Sequence, residues 1–183
     1  MRVISGLYRG RVLKSPPDNK TRPTSDRLRE TLFNVLAPRI DDETRFLDLC
    51  AGTGAIGIEA VSRGAAFVTF VDRSKRSCAL IEENLDKFDV PESSTEIVGI
   101  DADNFSGREH KHGWDIAFYD PPYDADYSFV FHEFGYNKTL LNDGGILVVE
   151  HHTKKTLPDE VGSLRRWRIL KQGETSLSFY ERS

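Results

Sequence analysis

Four successive β-strand patterns in this chain each lead into an acidic residue or a glycine-rich turn. The strands, each with the feature at its end, are Phe46–Cys50 with the turn at Gly52, Phe67–Val71 with Asp72, Glu96–Ile100 with Asp101, and Trp114–Tyr119 with Asp120. Because β and α patterns alternate from Arg45 onward, we predict a parallel sheet covered by helices on both faces. Parallel strands end at a common edge and ligands bind beyond it, so the four strand ends should form one site.

The remaining pattern completes an α/β domain. Helices are predicted over about Ala55–Arg63, after the capping residue Ser74 and near Phe129–Leu141; further strands are predicted over Gly145–Glu150, Trp167–Leu170 and Ser176–Tyr180. A chain of 183 residues suits one domain with a full core and a small appendage.

The N-terminal part of the chain differs from the rest in charge. Met1–Arg39 contains nine Lys or Arg against three Asp or Glu, a net charge of +6, whereas the remainder carries −10. A basic arm on an acidic body favours a docked polyanion. The alternative is a solvated charged arm with no partner.

Local patterns predict the structure of this arm. Two β-prone runs around Gly6 and Gly10 predict a hairpin, and residues 24–37 have helical periodicity that Pro38 stops. We therefore divide the chain into a basic extension of hairpin and helix, residues 1–40, and a body, residues 41–183.

The sequence does not indicate a membrane protein, a disulfide-stabilised protein or a metal-binding protein. No apolar run approaches the roughly 18 residues of a membrane span, and the first residues lack the apolar stretch of a signal peptide. Cys50 and Cys78 are too few for a disulfide scaffold, and Cys50 has no evident general base, so we interpret it as structural. The five histidines show no metal-ligand spacing. We expect a cytoplasmic protein with reduced thiols and no metal.

The turn after the first strand has the composition of a nucleotide-binding loop. Gly52 and Gly54 permit a sharp bend and close approach of a ligand, and the following helix presents free N–H groups there. With Gly57, and with Asp72 twenty residues after Gly52, the turn also fits the dinucleotide fingerprint. By itself it does not separate NAD from S-adenosylmethionine.

Two acids at later strand ends extend this interpretation. Asp72 is placed to accept both hydroxyls of a ribose, although it could instead help to cap the helix that follows Ser74. Asp101 could accept from an adenine amino group, but the Asp-Ala-Asp sequence after a strand is also typical of a turn.

The motif Asp120-Pro121-Pro122-Tyr123 discriminates between these chemistries. The two prolines restrict the backbone and remove two N–H donors, so the Asp120 carboxylate and the Pro121 carbonyl form a rigid pair of acceptors. Such a pair can orient an exocyclic amine of a base, whose lone pair is otherwise delocalised into the ring. Tyr123 offers a flat face on which an extruded base can stack. The motif indicates methyl transfer to a base amine; the alternative is a proline-rich turn.

Together these segments resemble the bacterial 16S rRNA guanine-N2 methyltransferases of the RsmD type. The matching segments, which span nearly the whole chain, are Arg2–Gly6 with Arg9–Arg11, Thr21–Glu30, Phe33-Asn34, Leu47–Gly57, Ser62–Ala65, Asp120–Tyr123, Gly144-Gly145 and Val148–His151. The glycine turn and the Asp-Pro-Pro-Tyr motif occur in many amino-methyltransferases, and the segment beginning at Thr21 is far more specific. Residues 101–113 and 127–137 follow no recognisable family pattern.

The resemblance implies a Rossmann-like class I methyltransferase with a mostly parallel, seven-stranded sheet and an N-terminal β-hairpin extension. It implies catalysis by Asp120, Pro121, Pro122 and Tyr123. The residues expected to bind S-adenosylmethionine are Asp48, Ala51, Gly52, Thr53, Gly54, Asp72, Arg73, Asp101 and Ala102. Those expected to bind RNA are Arg2, Arg9, Arg11, Arg22, Thr24 and Arg29.

The implied partner is 16S rRNA in an assembling small ribosomal subunit, bound by a monomeric enzyme. Three rival functions stay open. A DNA adenine-N6 methyltransferase uses the same chemistry but usually needs a further target-recognition region. An NAD-dependent oxidoreductase fits Gly52 and Asp72 but leaves Asp120–Tyr123 unexplained. A non-catalytic RNA-binding module fits the arm but not the pocket.

Overall fold

The computed structural model describes residues 1–16 and 25–183, and its centre is a single eight-stranded sheet. The strands are β1 (Arg45–Leu49), β2 (Phe67–Val71), β3 (Thr95–Val98), β4 (Trp114–Tyr119), β5 (Leu141–His152), β6 (Glu160–Val161), β7 (Leu164–Gln172) and β8 (Thr175–Arg182). Their order is β3-β2-β1-β4-β5-β8-β7-β6. The first five in this order run parallel, whereas β8, β7 and β6 join by antiparallel pairing.

The prediction of seven strands was wrong by one. The additional strand, β6, has only two residues and pairs with the start of β7 across a turn in which Gly162 has a φ of +55°. Two residues are too few to produce a periodic pattern, so this strand leaves no signal in the sequence.

Five helices cover the sheet: α1 (Asp26–Leu36), α2 (Ala55–Ser62), α3 (Lys75–Lys87), α4 (Ala102–Ser106) and α5 (Ser128–Tyr136). Alternate strand residues enter two separate cores. Phe46 and Phe118 join the core under α1, α2 and α3, whereas Leu47 and Tyr119 join the core with α5. The sheet is therefore buried on both faces, as predicted from the alternation of strand and helix patterns. No helix within the described ranges has the length and apolar character to cross a membrane.

Two helices differ from the prediction. A mixed helical segment was expected near Phe129–Leu141; the helix α5 ends at Tyr136, and β5 already begins at Leu141. Helix α4 was not predicted; it has five residues, and the Asp101 side chain caps it by accepting from the Asn104 backbone N–H at 2.8 Å. A single helical turn is too short for periodicity to reveal it.

Residues 1–16 form a hairpin-like segment, here called the arm, with one β-bridge between Arg2 and Val12. Its backbone is anchored to the body. The Glu59 carboxylate of α2 accepts from the N–H groups of Ile4 (2.8 Å) and Ser5 (3.0 Å). Leu7 donates to the Ser62 carbonyl at 2.7 Å. The arm therefore packs into the same core as α1 and α2, and its position relative to the sheet is set by hydrogen bonds.

Candidate functional site

A cavity of about 1020 Å³ opens at the carboxyl edge of the parallel strands. Twelve of the predicted cofactor and catalytic residues line it: Asp48, Ala51, Gly52, Thr53, Asp72, Arg73, Asp101, Ala102, Asp120, Pro121, Pro122 and Tyr123. Gly54 is not one of these lining residues. It is the N-cap residue of α2, has a φ of +76° and packs against the Ile81 side chain. The topology thus brings together residues that lie up to 75 positions apart in the chain.

The glycine-rich turn is bent by an unusual backbone. Cys50 has a φ of +69° although it is not glycine, and Gly52 has a φ of +55°. The N–H groups of Cys50 and Ala51 both donate to the Val71 carbonyl at 2.9 Å, which ties the turn to the end of β2. A residue other than glycine at positive φ is strained, and such strain is typical of ligand-binding turns.

Two carboxylates hold the turn in place. Asp72 accepts from the Gly52 N–H and from the Ser74 N–H, both at 2.8 Å, with one oxygen each. Asp48 accepts from the Gly57 N–H at 2.8 Å. Since each carboxylate oxygen has two lone pairs, Asp72 can support the start of α3 and still accept from ribose hydroxyls. Burial raises the pKa of Asp48 to about 8, with a further contribution from the nearby Asp72.

Asp101 has a local structural function. Its two oxygens accept from the Asn104 backbone N–H (2.8 Å) and the Asn104 side-chain amide (2.6 Å), and these bonds lower the pKa of the Asp101 carboxyl. The alternative that Asp101 belongs to a turn is therefore close to what the structure shows, since Asp101 caps α4. Because Asp101 also lines the cavity, contact with an adenine amino group stays a prediction.

Asp120 follows β4 at the centre of the edge. The register that pairs Tyr119 with Val149 brings the next residues, Asp120 and Glu150, level with each other on neighbouring strands. Burial raises the pKa of Asp120 well above its ordinary value, and the carboxylates of Glu150 and Asp48 raise it further. Asp120 is therefore a carboxyl group with an unusually high proton affinity, which is typical of functional sites.

Glu150 is a site residue that the sequence reasoning missed. It lies near the end of β5, is 6% exposed and lines the cavity. The rule that selected Asp72, Asp101 and Asp120, an acid at the end of a parallel strand, would also have selected Glu150 had it been applied to the fifth strand.

Tyr123 lies at the mouth of the cavity and is 37% exposed. Its hydroxyl is 3.2 Å from the Thr175 hydroxyl of β8, and the His152 ring meets it edge-on at a centroid distance of 5.6 Å. These two contacts hold the ring in one orientation at the entrance. A fixed and partly exposed aromatic ring is suited to stacking on a planar base.

The cavity is strongly acidic. Its acidic lining residues are Asp48, Asp72, Asp101, Asp103, Asp120, Asp124, Asp126 and Glu150, and among the described lining residues Arg73 is the single Lys or Arg. Such a field favours a cationic ligand and disfavours a phosphate. Within residues 1–16 and 25–183, no group of three or more His, Cys, Asp or Glu side chains could hold a metal ion.

The predicted RNA-binding residues have different environments. Arg2 and Arg9 are exposed on the arm. The Arg11 guanidinium donates to the carbonyls of Phe88 (3.1 Å) and Lys87 (3.3 Å), so this exposed residue also fixes the arm to the end of α3. Arg22 and Thr24 lie outside the described residues.

The expectation that Arg29 binds RNA requires correction. Its side chain is 0% exposed, donates to the Arg2 carbonyl at 2.8 Å and to Asp26 at 2.6 Å, and lies 3.8 Å from the Glu59 carboxylate. A guanidinium enclosed in this way cannot contact a phosphate. Arg29 instead connects α1 with the arm and with α2.

Comparisons with known proteins agree with this geometry. A family model described as "Conserved hypothetical protein 95" matches residues 1–181. "Putative rRNA methyltransferase YlbH" of Bacillus subtilis (strain 168) is 34% identical over 100% of this chain and 99% of its own length. "Ribosomal RNA small subunit methyltransferase D" of Escherichia coli (strain K12) is 32% identical over 100% and 90%. A solved structure, "Putative methyltransferase yhhF from Escherichia coli", superposes with a TM-score of 0.87 at 32% identity over 100% and 98%.

Proposed function

The chain belongs to the Conserved hypothetical protein 95 family, to which the ribosomal RNA small subunit methyltransferase D proteins correspond, and on this premise we propose that it is an S-adenosylmethionine-dependent rRNA methyltransferase. The proposed substrate is the exocyclic N2 amine of a guanine in 16S rRNA. The observation that carries the proposal is the acidic cavity that Asp120–Tyr123 and the glycine-rich turn line together. The two acceptors would bind the amine of an adenine equally well, so the choice of guanine as the target base depends on family membership.

The charge of the cavity supports S-adenosylmethionine over NAD. S-adenosylmethionine carries a sulfonium and an ammonium group against one carboxylate, whereas NAD carries a pyrophosphate. A pyrophosphate beside Asp72, Asp101 and Asp126 would meet like charges, with Arg73 as the nearby described cation. The proposed contacts are those of Asp72 with the ribose, the Gly52 turn with the amino-acid part, and Asp101 and Ala102 with the adenine.

The residues of this chain would act mainly by positioning and by electrostatics. S-adenosylmethionine, when bound, supplies an electrophilic methyl group. The Asp120 carboxylate and the Pro121 carbonyl accept hydrogen bonds from the two N–H groups of the guanine amine and direct its lone pair toward that methyl. Tyr123 stacks on the base, whose extrusion from its stack costs a few kcal/mol. As the amine nitrogen becomes cationic, the charge of Asp120 stabilises it.

The proposed setting is an assembling small ribosomal subunit in the cytoplasm, with the enzyme acting as a monomer. The exposed Arg2 and Arg9 of the arm and the predicted contacts of Arg22 and Thr24 would hold the RNA backbone. Arg11 serves this purpose less directly because its guanidinium already binds the end of α3.

Transfer of labelled methyl groups tests the proposal. The substrates are small subunits lacking base methylation, naked 16S rRNA and duplex DNA, each followed by nucleoside analysis. We expect N2-methylguanosine in rRNA. Label in DNA adenine would instead support the DNA methyltransferase. Tight NAD binding without S-adenosylmethionine binding would support an oxidoreductase, and cofactor binding with no transfer to RNA would support a non-catalytic module.

The high proton affinity of Asp120 predicts the pH dependence of this reaction. Only the ionised carboxylate stabilises the cationic amine, so turnover should rise as pH increases through the raised pKa of Asp120. Glu150→Gln removes a carboxylate that raises this pKa, so the acid limb should move to lower pH, by about one pH unit or more. Turnover of both proteins at saturating substrate, measured across the pH range, checks this. Glu174→Gln, an exposed change at the same edge, is the control; an unshifted limb in Glu150→Gln would contradict the coupling.

A further inference from the structure

A second basic segment lies in the acidic body of the protein. Residues 153–172 contain six Lys or Arg and two Asp or Glu, a net charge of +4. Both acids are paired within the segment, Glu160 with Arg165 at 3.0 Å and Asp159 with Arg166. Lys154, Arg168 and Lys171 are exposed and form no ion pair within the described ranges. These three cations are therefore available to a partner.

An exposed indole accompanies these cations. Trp167 is 44% exposed and lies at the irregularity between Arg166 and Arg168, where the register of β7 against β8 shifts. Its ring packs on Phe179 of the core at a centroid distance of 5.5 Å and an interplanar angle of 51°. One side of the indole is thus held by the protein while the rest faces solvent. A fixed aromatic ring among cations is the arrangement on which single-stranded nucleic acid stacks.

The topology connects this surface to the mouth of the cavity. β7 runs in the same direction as β5, so Lys171 and Gln172 reach the carboxyl edge that carries Asp120. Gln172 pairs with Thr175, whose hydroxyl contacts the Tyr123 hydroxyl at 3.2 Å. Lys154 follows β5, and its backbone N–H donates to the His152 ring that contacts Tyr123. The cations therefore begin beside the proposed entrance for the base.

The first residue of the arm, Met1, lines the same cavity, and the rest of the arm lies along α2 and α3. It is anchored to α2 and α3 through Glu59, Ser62 and Asn84, and α2 packs on β1 and β2. β7 lies beyond β5, separated from it by β8. The start of the basic arm and the cations near β7 thus border the acidic cavity on two sides. Phosphates are attracted to both borders and repelled by the centre, which is accessible to an uncharged base.

From this arrangement we propose that Lys154, Trp167, Arg168 and Lys171, here called the edge surface, bind the single-stranded RNA that flanks the extruded base on the side away from the arm. The side chains of Arg168 and Lys171 lie on opposite faces of the sheet. Both residues nevertheless border the outer edge of β7, because β6 pairs only with Leu164 and Arg165. An RNA backbone that follows this edge contacts both. The proposal rests on the proposed function because it assumes an RNA substrate.

Cations on an edge strand also prevent sheet-to-sheet aggregation. That purpose alone does not account for this surface, because Trp167 and Ile169 are 44% and 41% exposed on the same strand. Exposed apolar side chains promote the association that edge cations oppose. Stacking on a base accounts for the indole, and phosphate contact accounts for the cations.

Binding of protein-free 16S rRNA to the triple variant Lys154→Glu, Arg168→Glu and Lys171→Glu tests the edge surface. We expect the affinity to fall about tenfold or more at moderate salt and the salt dependence of binding to become shallower by about two to three units. The double variant Lys111→Glu and Lys138→Glu is the control, since it reverses exposed lysines that precede β4 and β5 at the opposite edge. Unchanged affinity and slope in the triple variant would overturn the proposal.

Fluorescence provides a second test on the unaltered protein. The chain has two tryptophans, Trp167, which is exposed, and Trp114, which is 3% exposed in the core. We expect saturating rRNA to quench the emission of Trp167, an effect that Trp167→Phe abolishes. Unquenched emission with RNA bound would overturn the proposal. Methyl transfer by the wild type, measured in parallel, separates the two inferences: its absence counts against the proposed function, whereas transfer with unaltered edge-variant binding counts against the edge surface.

Discussion

Replacing Asp120 by alanine is expected to lower methyl-transfer turnover by about 10²–10³-fold while leaving the affinity for S-adenosylmethionine nearly unchanged. The Asp120 carboxylate follows β4 directly, beside Glu150 of β5 and next to the end of β1, where the Asp120 N–H donates to the Leu49 carbonyl at 3.3 Å. Its removal takes away an acceptor that orients the amine and a charge that stabilises the cationic nitrogen. Both contributions act on the transition state, so turnover falls while the affinity for the cofactor stays nearly unchanged.

Single-turnover rates with saturating rRNA and calorimetric titration with S-adenosylmethionine measure these two quantities. Asp124→Ala is the matched control, because Asp124 is an exposed acid in the same loop that also lines the cavity. We expect it to retain most of the turnover. Near-normal turnover in Asp120→Ala would remove Asp120 from the mechanism.

Glu59→Ala is expected to destabilise the fold by about 3–5 kcal/mol, the usual cost of removing one partner of a buried ion pair. The Glu59 side chain is fully buried and accepts from two backbone N–H groups of the arm and from Arg63 Nε at 2.8 Å. It also lies 3.8 Å from the buried Arg29 guanidinium. Alanine leaves these donors without their acceptor, and the attachment of the arm to α2 then depends on Ser62.

Urea unfolding of Glu59→Ala against the wild type measures this change. Glu30→Ala, an exposed acid of α1, is the control and should change the stability by no more than about 0.5 kcal/mol. Glu59→Gln preserves the size of the side chain but presents an amide N–H group to backbone donors. Its stability should therefore lie between that of Glu59→Ala and that of Glu30→Ala. A loss below about 1 kcal/mol in Glu59→Ala would show that the buried pair is replaced by other contacts.

The catalytic edge could be predicted because its residues lie at the ends of strands. Apolar runs identify the strands, and parallel topology obliges their carboxyl ends to meet, so Asp72, Asp101 and Asp120 were expected to line one site before any distance was known. Glu150 obeys the same rule and was missed only because the rule was not applied to the last parallel strand. The strand β6 and the helix α4 were missed because their two and five residues are shorter than any detectable period.

The sequence by itself determined the alternation of strands and helices, the acidic edge and the basic arm, because these depend on local periodicity and on the type of residue that follows each strand. The tertiary structure alone decided what each cation does. Arg29 was expected to bind RNA, but packing buries it near Glu59, thirty positions away. Arg168 and Lys171 lie exposed on an edge strand. Whether an arginine is buried or exposed depends on which distant carboxylate the fold places beside it, and a local pattern does not contain that information.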